Sequence, residues 1–295
     1  MTRAKVTRAR ATPIPRKGSG ARAAMLILPA VVVAGFVVLG SLGMLVAQSA
    51  GLLPFVGEPR LSADAYFANT AELPLAIGIS LAVSAAATLL AVVVGFTAAV
   101  VVLQGRWSGR IVEWVSALTI PVPHLVGAAT MGLLLSDGGF LARLFHVPGT
   151  GWPAFVGGPW WSATVLEYGW KESAFVALVV VGTLASRVNR YDETAALLGA
   201  GRASRLRHVL LPLATPALTV SAVIVFVYTL GSYEVAWLLG RAYPEPLPVM
   251  AVRLYNSVTL ASRPEAAAIA VITVVLSGAA VLVAFGLLKR TRLWR

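Results

Sequence analysis

The side chains able to do chemistry are few, and their types exclude most of it. The 295-residue chain has no cysteine, so disulfides, thiolate catalysis and cysteine metal sites are excluded. Its three histidines, His124, His146 and His208, are widely spaced, which does not suit a metal centre built from clustered ligands. No nucleophile stands in a pattern with an activating base. The reading is therefore no catalytic residue, no metal site and no cofactor held by this chain. What remains is a handful of ionisable and aromatic residues within or beside apolar runs. Ionisable groups are costly in a bilayer and mostly face an interior or a cavity. His124 lies among Pro121, Pro123 and Gly127; it either lines a path or packs through a hydrogen bond. Glu167, Lys171 and Glu172 are placed at the outer start of one apolar run, where Glu167 and Lys171, four apart, can pair on a helix surface. Glu234, about 33 Å along a helix from Pro212, either lines an outer vestibule that attracts cations or is an ordinary interfacial residue. Trp170 and Tyr233 can stack on a cationic amine or serve as interfacial packing. The substrate-path candidates are His124, Trp170, Tyr233 and Glu234.

The elements that would hold these residues belong to a membrane. The chain is 58% hydrophobic and 12% charged, with mean hydropathy +0.82, whereas soluble domains are roughly a quarter charged. A spanning helix needs about 20 mostly apolar residues, and six segments qualify: 24–47, 74–103, 112–135, 165–185, 212–239 and 266–288. The first is too long for a signal peptide and lacks a clean cleavage site, so it is read as retained. The predicted fold is an all-α integral membrane protein of six helices. Its parts are a basic arm (1–23, read as disordered), a first helix with an outward loop (24–69), a five-helix core (70–289) and a basic tail (290–295). No soluble domain or internal repeat is evident.

Lys and Arg resist translocation and so fix orientation. Seven lie in 1–23, two in 104–111, five in 186–211 and four in 289–295, 18 of the 24 in all, against six in the remaining segments. Both termini are therefore placed in the cytoplasm. The net charge of +12 sits at the edges of apolar runs, which points to topology and the lipid surface rather than nucleic acid. In the outward loops, Trp152, Trp160 and Trp161 are expected in the interfacial belt. Pro244, Pro246 and Pro248 are expected to give an extended or turning path.

One cytoplasmic stretch breaks the apolar pattern: ETAALLGAGRASRLRHVLLP, residues 193–212. Residues 190–206 can form a short helix with Asp192 and Glu193 at its start, where carboxylates suit the positive end. Gly199 and Gly201 then interrupt it, and Pro212 fits the first turn of the fifth span. From the physics alone this is either a surface that a partner approaches closely or an amphipathic loop held to lipid by arginines.

The spacing Glu193-Thr194-Ala195, Gly199 and Val209-Leu210-Leu211-Pro212 resembles the EAA loop of inner-membrane permeases of binding-protein-dependent ABC importers. It departs from that signature at Thr194, where Ala is usual. Residues 121–144, 168–184, 231–240 and 247–272 look like the spermidine/putrescine branch, and the likeness covers about residues 70–290. It implies the type I importer architecture, with loop 190–212 as a coupling helix seated in a cytoplasmic ATPase. Glu193, Thr194, Ala195, Gly199, Ala200, Arg202, Leu211 and Pro212 are then the coupling residues. Glu193 is the charged contact and Gly199 the hinge, while Arg202 and Arg205 serve equally well for lipid phosphate. The implied partners are an ABC ATPase dimer, which binds the ATP and Mg and does the hydrolysis, a second and different permease chain, and an extracytoplasmic binding protein. The implied location is the bacterial plasma (inner) membrane, multi-pass. The implied cargo is a polyamine, with a thiamine-like cation, an iron complex or a sugar as alternatives within the family. An ATP-independent secondary transporter is the alternative outside it, although no inverted repeat speaks for one.

Overall fold

The computed structural model describes residues 19–147, 149–185 and 188–290, and every regular element among them is helical. Most of the basic arm, Arg187 and residues 291–295 of the tail lie outside the described residues. The chain divides into one unit up to Leu45 and another from Val46 onward. Helix α1 (Ser19–Ser49) makes up the first unit and runs into the second. Leu26, Phe36 and Leu39 are among its many exposed apolar side chains. A helix apolar all round is made for lipid or for a core.

The second unit contains α2 (Asp64–Phe67), α3 (Leu73–Leu103), α4 (Trp107–Thr119), α5 (His124–Leu135), α6 (Phe140–Leu144) and α7 (Ser162–Leu184). After these come α8 (Val188–Leu197), α9 (Arg202–Arg205), a π-helical turn (Leu206–Leu210), α10 (Leu211–Gly231), α11 (Glu234–Leu239), α12 (Leu247–Tyr255) and α13 (Arg263–Arg290). Five stretches among the described residues are long and apolar enough to cross a membrane: Ala24–Ser49, Leu73–Leu103, His124–Leu144, Arg202–Gly231 and Leu260–Gly286. Helix α7, expected as a further span, has 23 residues but carries Glu167, Lys171 and Glu172.

Helices α3 and α7 form the densest pairing, and α10 closes on both. The buried face of α3 is a stripe of small residues: Ser80, Ser84, Ala87, Ala91, Gly95 and Ala99. Spacings of three and four put them on one face. Lipid is as apolar as any side chain, so helices in a bilayer associate through close packing, which small residues permit. Gly95 shows how close: a Cβ there would lie 2.6 Å from the carbonyl oxygen of Ser173 and 2.6 Å from Cβ of Val176. On α7, a Cβ at Gly169 would run into Leu90.

Several expectations change. The segment 112–135 is not one helix. It breaks at Ile120–Pro123, where Pro121 and Pro123 lack the N–H donors that would continue the ladder, while Ile120 itself keeps helical dihedrals (φ −57°, ψ −49°). The segment 212–239 is also broken, because Ser232 adopts extended dihedrals (φ −82°, ψ 129°) and α11 starts afresh at Glu234. The 33 Å helical path to Glu234 therefore does not exist. The helix entering α10 begins before Pro212: α9, the π turn and α10 run on from Arg202 to Gly231. The π turn, in which the Leu211 N–H donates to the Leu206 carbonyl, lies just before Pro212. It gives room to a ring that would crowd the carbonyl four residues earlier in a regular helix.

The proline-rich stretch 240–265 is also not merely extended. It folds into α12, with Pro248 in the first turn, where no donor is needed. The Ser80 hydroxyl of α3 accepts from the Leu247 N–H at 2.8 Å, which anchors that helix start. The tryptophans divide. Trp160 is exposed, Trp152 donates its indole N–H to the Leu135 carbonyl at 2.8 Å, and Trp161 is buried against Val83 and Ala236. Trp161 is thus core rather than belt.

Candidate functional site

Two groupings hold the singled-out residues. The first is the polar stretch between α7 and α10. Helix α8 begins at Val188, so Asp192 and Glu193 stand in its middle rather than in its first turn. Its end is a Schellman motif: the Gly199 N–H donates to the Ala196 carbonyl at 3.0 Å and the Ala200 N–H to the Ala195 carbonyl at 3.0 Å. Gly199 takes φ +83°, a conformation that costs other residues strain. The space around it is open, with nothing within 4 Å of a Cβ built there. Gly199 is therefore kept for its backbone, not for a close approach.

After Gly201 the chain turns into α9, and the Arg205 guanidinium reaches back to Asp192 at 2.6 Å. This ion pair ties the two short helices together. Glu193, Thr194, Gly199 and Arg202 are exposed, Ala195, Ala200 and Pro212 are half-buried, and Leu211 is exposed at the start of α10. A cleft of about 500 Å³ opens between this element and the end of α3, lined by Gln104, Arg106, Glu193 and Arg202 among others. Leu197 and Leu198, not singled out from the sequence, are 89% and 83% exposed beside the Gly199 joint.

The second grouping is a polar cluster where α5, α7 and α10 meet. His124 is the first residue of α5, directly after Pro123. Its Nδ1 lies 3.6 Å from Oε1 of Glu167, and its Nε2 lies 3.3 Å from Oε1 of Glu172. Glu167 is fully buried, and neither carboxylate oxygen has a hydrogen-bond partner among the described residues. It lies against the first turn of α5, close to Gly127, where the helix dipole favours a negative charge. The His124 ring centroid is 4.9 Å from that of Tyr228 and 6.3 Å from that of Tyr168.

Lys171 does not pair with Glu167. Its Nζ donates to the Ile120 carbonyl at 3.1 Å, filling the place of an amide donor lost at the proline break. Backbone groups freed at membrane depth need such a partner. Because α7 starts at Ser162, Glu172 lies ten residues, about 15 Å, along the helix. That is well inside it rather than at its outer start.

The four path candidates do not form one site. His124 joins the α7 acids. Trp170, 39% exposed, packs beside Gly127. Tyr233 stacks on Trp237 at 6.0 Å and lines a separate cavity of about 520 Å³ with Glu245 and Arg253. Glu234 is exposed at the start of α11, within electrostatic reach of Tyr168 and Tyr228. From the sequence, Glu167 reads as half of a helix-surface pair with Lys171 and Glu172 as a residue at the start of the same apolar run, and Tyr168 and Tyr228 were not singled out. The available signal was three charges in the first half of an otherwise apolar helix, which demands partners.

The network around Arg253 is held by charge. Its Nε donates to Glu245 at 2.6 Å and a terminal nitrogen donates to Glu72 at 2.8 Å. Desolvation works against the charged guanidinium, but the two carboxylates outweigh it and hold the group above its ordinary value.

Residues 91–293 match the family described as binding-protein-dependent transport system inner membrane component. No curated relative matches the chain. Among solved structures, a bacterial ABC transporter involved in the import of the acidic polysaccharide alginate is similar at 19% identity and TM-score 0.69, covering 92% of this chain and 97% of that one. An amino acid ABC transporter with histidines is similar at 19% identity and TM-score 0.57, covering 79% and 100%. The alginate transporter in complex with its pentasaccharide-bound periplasmic protein gives 18% identity and TM-score 0.68, covering 92% and 96%. At these identities the likeness shows the fold. With two thirds of its length matched, the chain belongs to the binding-protein-dependent transport system inner membrane components, the permease subunits of ABC importers.

Proposed function

We propose that this permease is a six-span subunit of the bacterial inner membrane, with both termini cytoplasmic and α7 as the span beyond the five apolar ones. It hydrolyses nothing itself. A cytoplasmic ATPase dimer binds ATP and Mg and receives α8 and α9, with Glu193 as the charged contact. A second, different permease chain completes the path, and an extracytoplasmic binding protein delivers the cargo. That cargo is a small organic cation, with a polyamine such as spermidine or putrescine as the best candidate.

The observation that carries the coupling is the helix from Arg202 to Gly231. It is about 45 Å long at 1.5 Å per residue. Its cytoplasmic end is tied to α8 by Asp192–Arg205, and near its far end Tyr228 touches His124. A displacement imposed on α8 and α9 therefore reaches the polar cluster through one continuous helical element, which can carry a two-state rearrangement. Exposed Leu197 and Leu198 beside Gly199 supply the apolar part of a docking surface. The cation reading draws on Glu167, Glu172 and Glu234 with their neighbouring tyrosines. The similar structures import alginate or amino acids and give the fold without the cargo.

The test is uptake of labelled spermidine by proteoliposomes holding the complex purified through this chain. Uptake should require ATP and the binding protein, and Glu193→Lys should reduce it to background with the chain still folded. Undiminished uptake by Glu193→Lys would remove the coupling assignment, and uptake without ATP would remove the importer reading.

A further inference from the structure

The charges in the α5–α7 cluster do not balance without a proton. Glu167 and Glu172 bring two negative charges, and Lys171, committed to the Ile120 carbonyl, brings one positive. His124 stands between the two carboxylates at 3.6 and 3.3 Å, where an imidazolium would bring the group to neutrality. Unbalanced charge at this depth is expensive. Exposure of the side chains grades from 0% at Glu167 through 12% at Glu172 to 21% at His124, and Tyr228 is 41% exposed. Exposure thus rises from Glu167 toward His124 and Tyr228. Glu167 lies at the buried end with two unpartnered oxygens.

We propose that Glu172, Tyr228 and His124 form a binding site for a primary ammonium group, in which protonated His124 is the built-in cation of the empty site. This rests on the organic-cation reading above and adds the site and its exchange chemistry. An arriving ammonium takes the place of the imidazolium at Glu172 Oε1, donating to the carboxylate and lying over the Tyr228 ring, a favourable arrangement for a cation. His124 gives its proton to water, so one positive charge enters and one leaves, and the group stays neutral. The titratable groups facing His124 are Glu167, Tyr168 and Glu172 from α7 and Tyr228 from α10, with Lys171 of α7 in electrostatic reach of Glu172 and Glu234 of α11 in reach of both tyrosines. A cargo without an amine has nothing to exchange for the proton.

The test uses the complex purified through this chain in lipid nanodiscs, with labelled putrescine as probe and 1,4-butanediol as neutral competitor. Equilibrium binding is measured between about pH 5.5 and 8.5, where imidazoles titrate. A proton that competes with the ligand changes affinity by up to about tenfold per pH unit. Putrescine affinity should therefore rise with pH, butanediol should not compete, and up to one proton per bound amine should appear in weakly buffered solution. Glu172→Gln should lose more than about tenfold in affinity by removing a charge-assisted partner. His124→Gln should flatten the pH profile. Proton release is read on the unaltered protein, so it stands even where a variant fails to fold. The inference is overturned by pH-independent putrescine binding, by binding without proton release, by unchanged affinity in Glu172→Gln, or by no binding above lipid background. If no ATPase accompanies the chain, the importer reading fails separately. If the ATPase is present and putrescine is ignored, the site inference fails alone.

Discussion

The loop of α8 and α9 and the cluster around His124 are opposite ways of building a working region. The loop is contiguous in sequence and largely exposed, and it depends on backbone geometry at Gly199 and on one partly exposed ion pair. The cluster draws His124, Glu167, Glu172 and Tyr228 from three helices and buries most of their polar atoms. A loop of this kind tolerates side-chain change and answers to the partner it meets. A buried cluster answers to every helix that holds it. Changes in the packed region should therefore register as stability, and changes in the loop as transport.

The largest stability effect should come from Gly95→Val, which pushes side-chain atoms into Ser173 and Val176 where α3 and α7 meet. A loss of about 1–3 kcal/mol or more is expected from overpacking, read as a lower melting temperature in detergent. A melting temperature equal to that of the unaltered chain would contradict the packing account. Next is Lys171→Met, which leaves the Ile120 carbonyl without its donor at the helix break. The cost of an unsatisfied buried group is about 1–3 kcal/mol, and the break should show faster amide exchange around residues 119–123.

The loop should give smaller shifts. Gly199→Ala forces an L-residue to φ +83° in open space, costing about 1–2 kcal/mol locally. Gly199→Asn should cost less, because asparagine visits that region. Equal transport loss in both variants would show that space rather than backbone matters there. Smallest is Asp192→Asn, which breaks a partly exposed ion pair worth at most about 1 kcal/mol. It should leave melting unchanged and be visible only as weaker transport.

The same contrast explains what could be read from the sequence. The loop was legible because its signature is local: Glu193, Gly199 and the Val209–Pro212 close are separated by fixed numbers of residues. The apolar runs were legible because lipid imposes length and composition. The helix break near Pro121 and Pro123 was foreseeable as irregularity, but its consequence was not, since the Ile120 carbonyl is met by a lysine 51 positions away. Glu167 and Lys171 have the spacing of a helix-surface pair, and only the packing of α5 shows that each faces another partner. Trp161 reads like any loop tryptophan until Val83 and Ala236 are placed around it. Pairings across helices have no period along the chain, and that is where the sequence stopped being informative.

The most direct test of the coupled-permease account is affinity purification of this chain from its native membrane in mild detergent, with quantitative mass spectrometry of what accompanies it. The absence of native cysteines lets a single Ala196→Cys variant add a cross-link from α8 to its neighbour in the same preparation. The account predicts a nucleotide-binding ATPase and a second multi-span chain in near-stoichiometric amounts, with the ATPase cross-linked to residue 196. A chain that purifies alone and moves solute in liposomes without ATP would contradict it, leaving residues 193–212 as a lipid-facing loop.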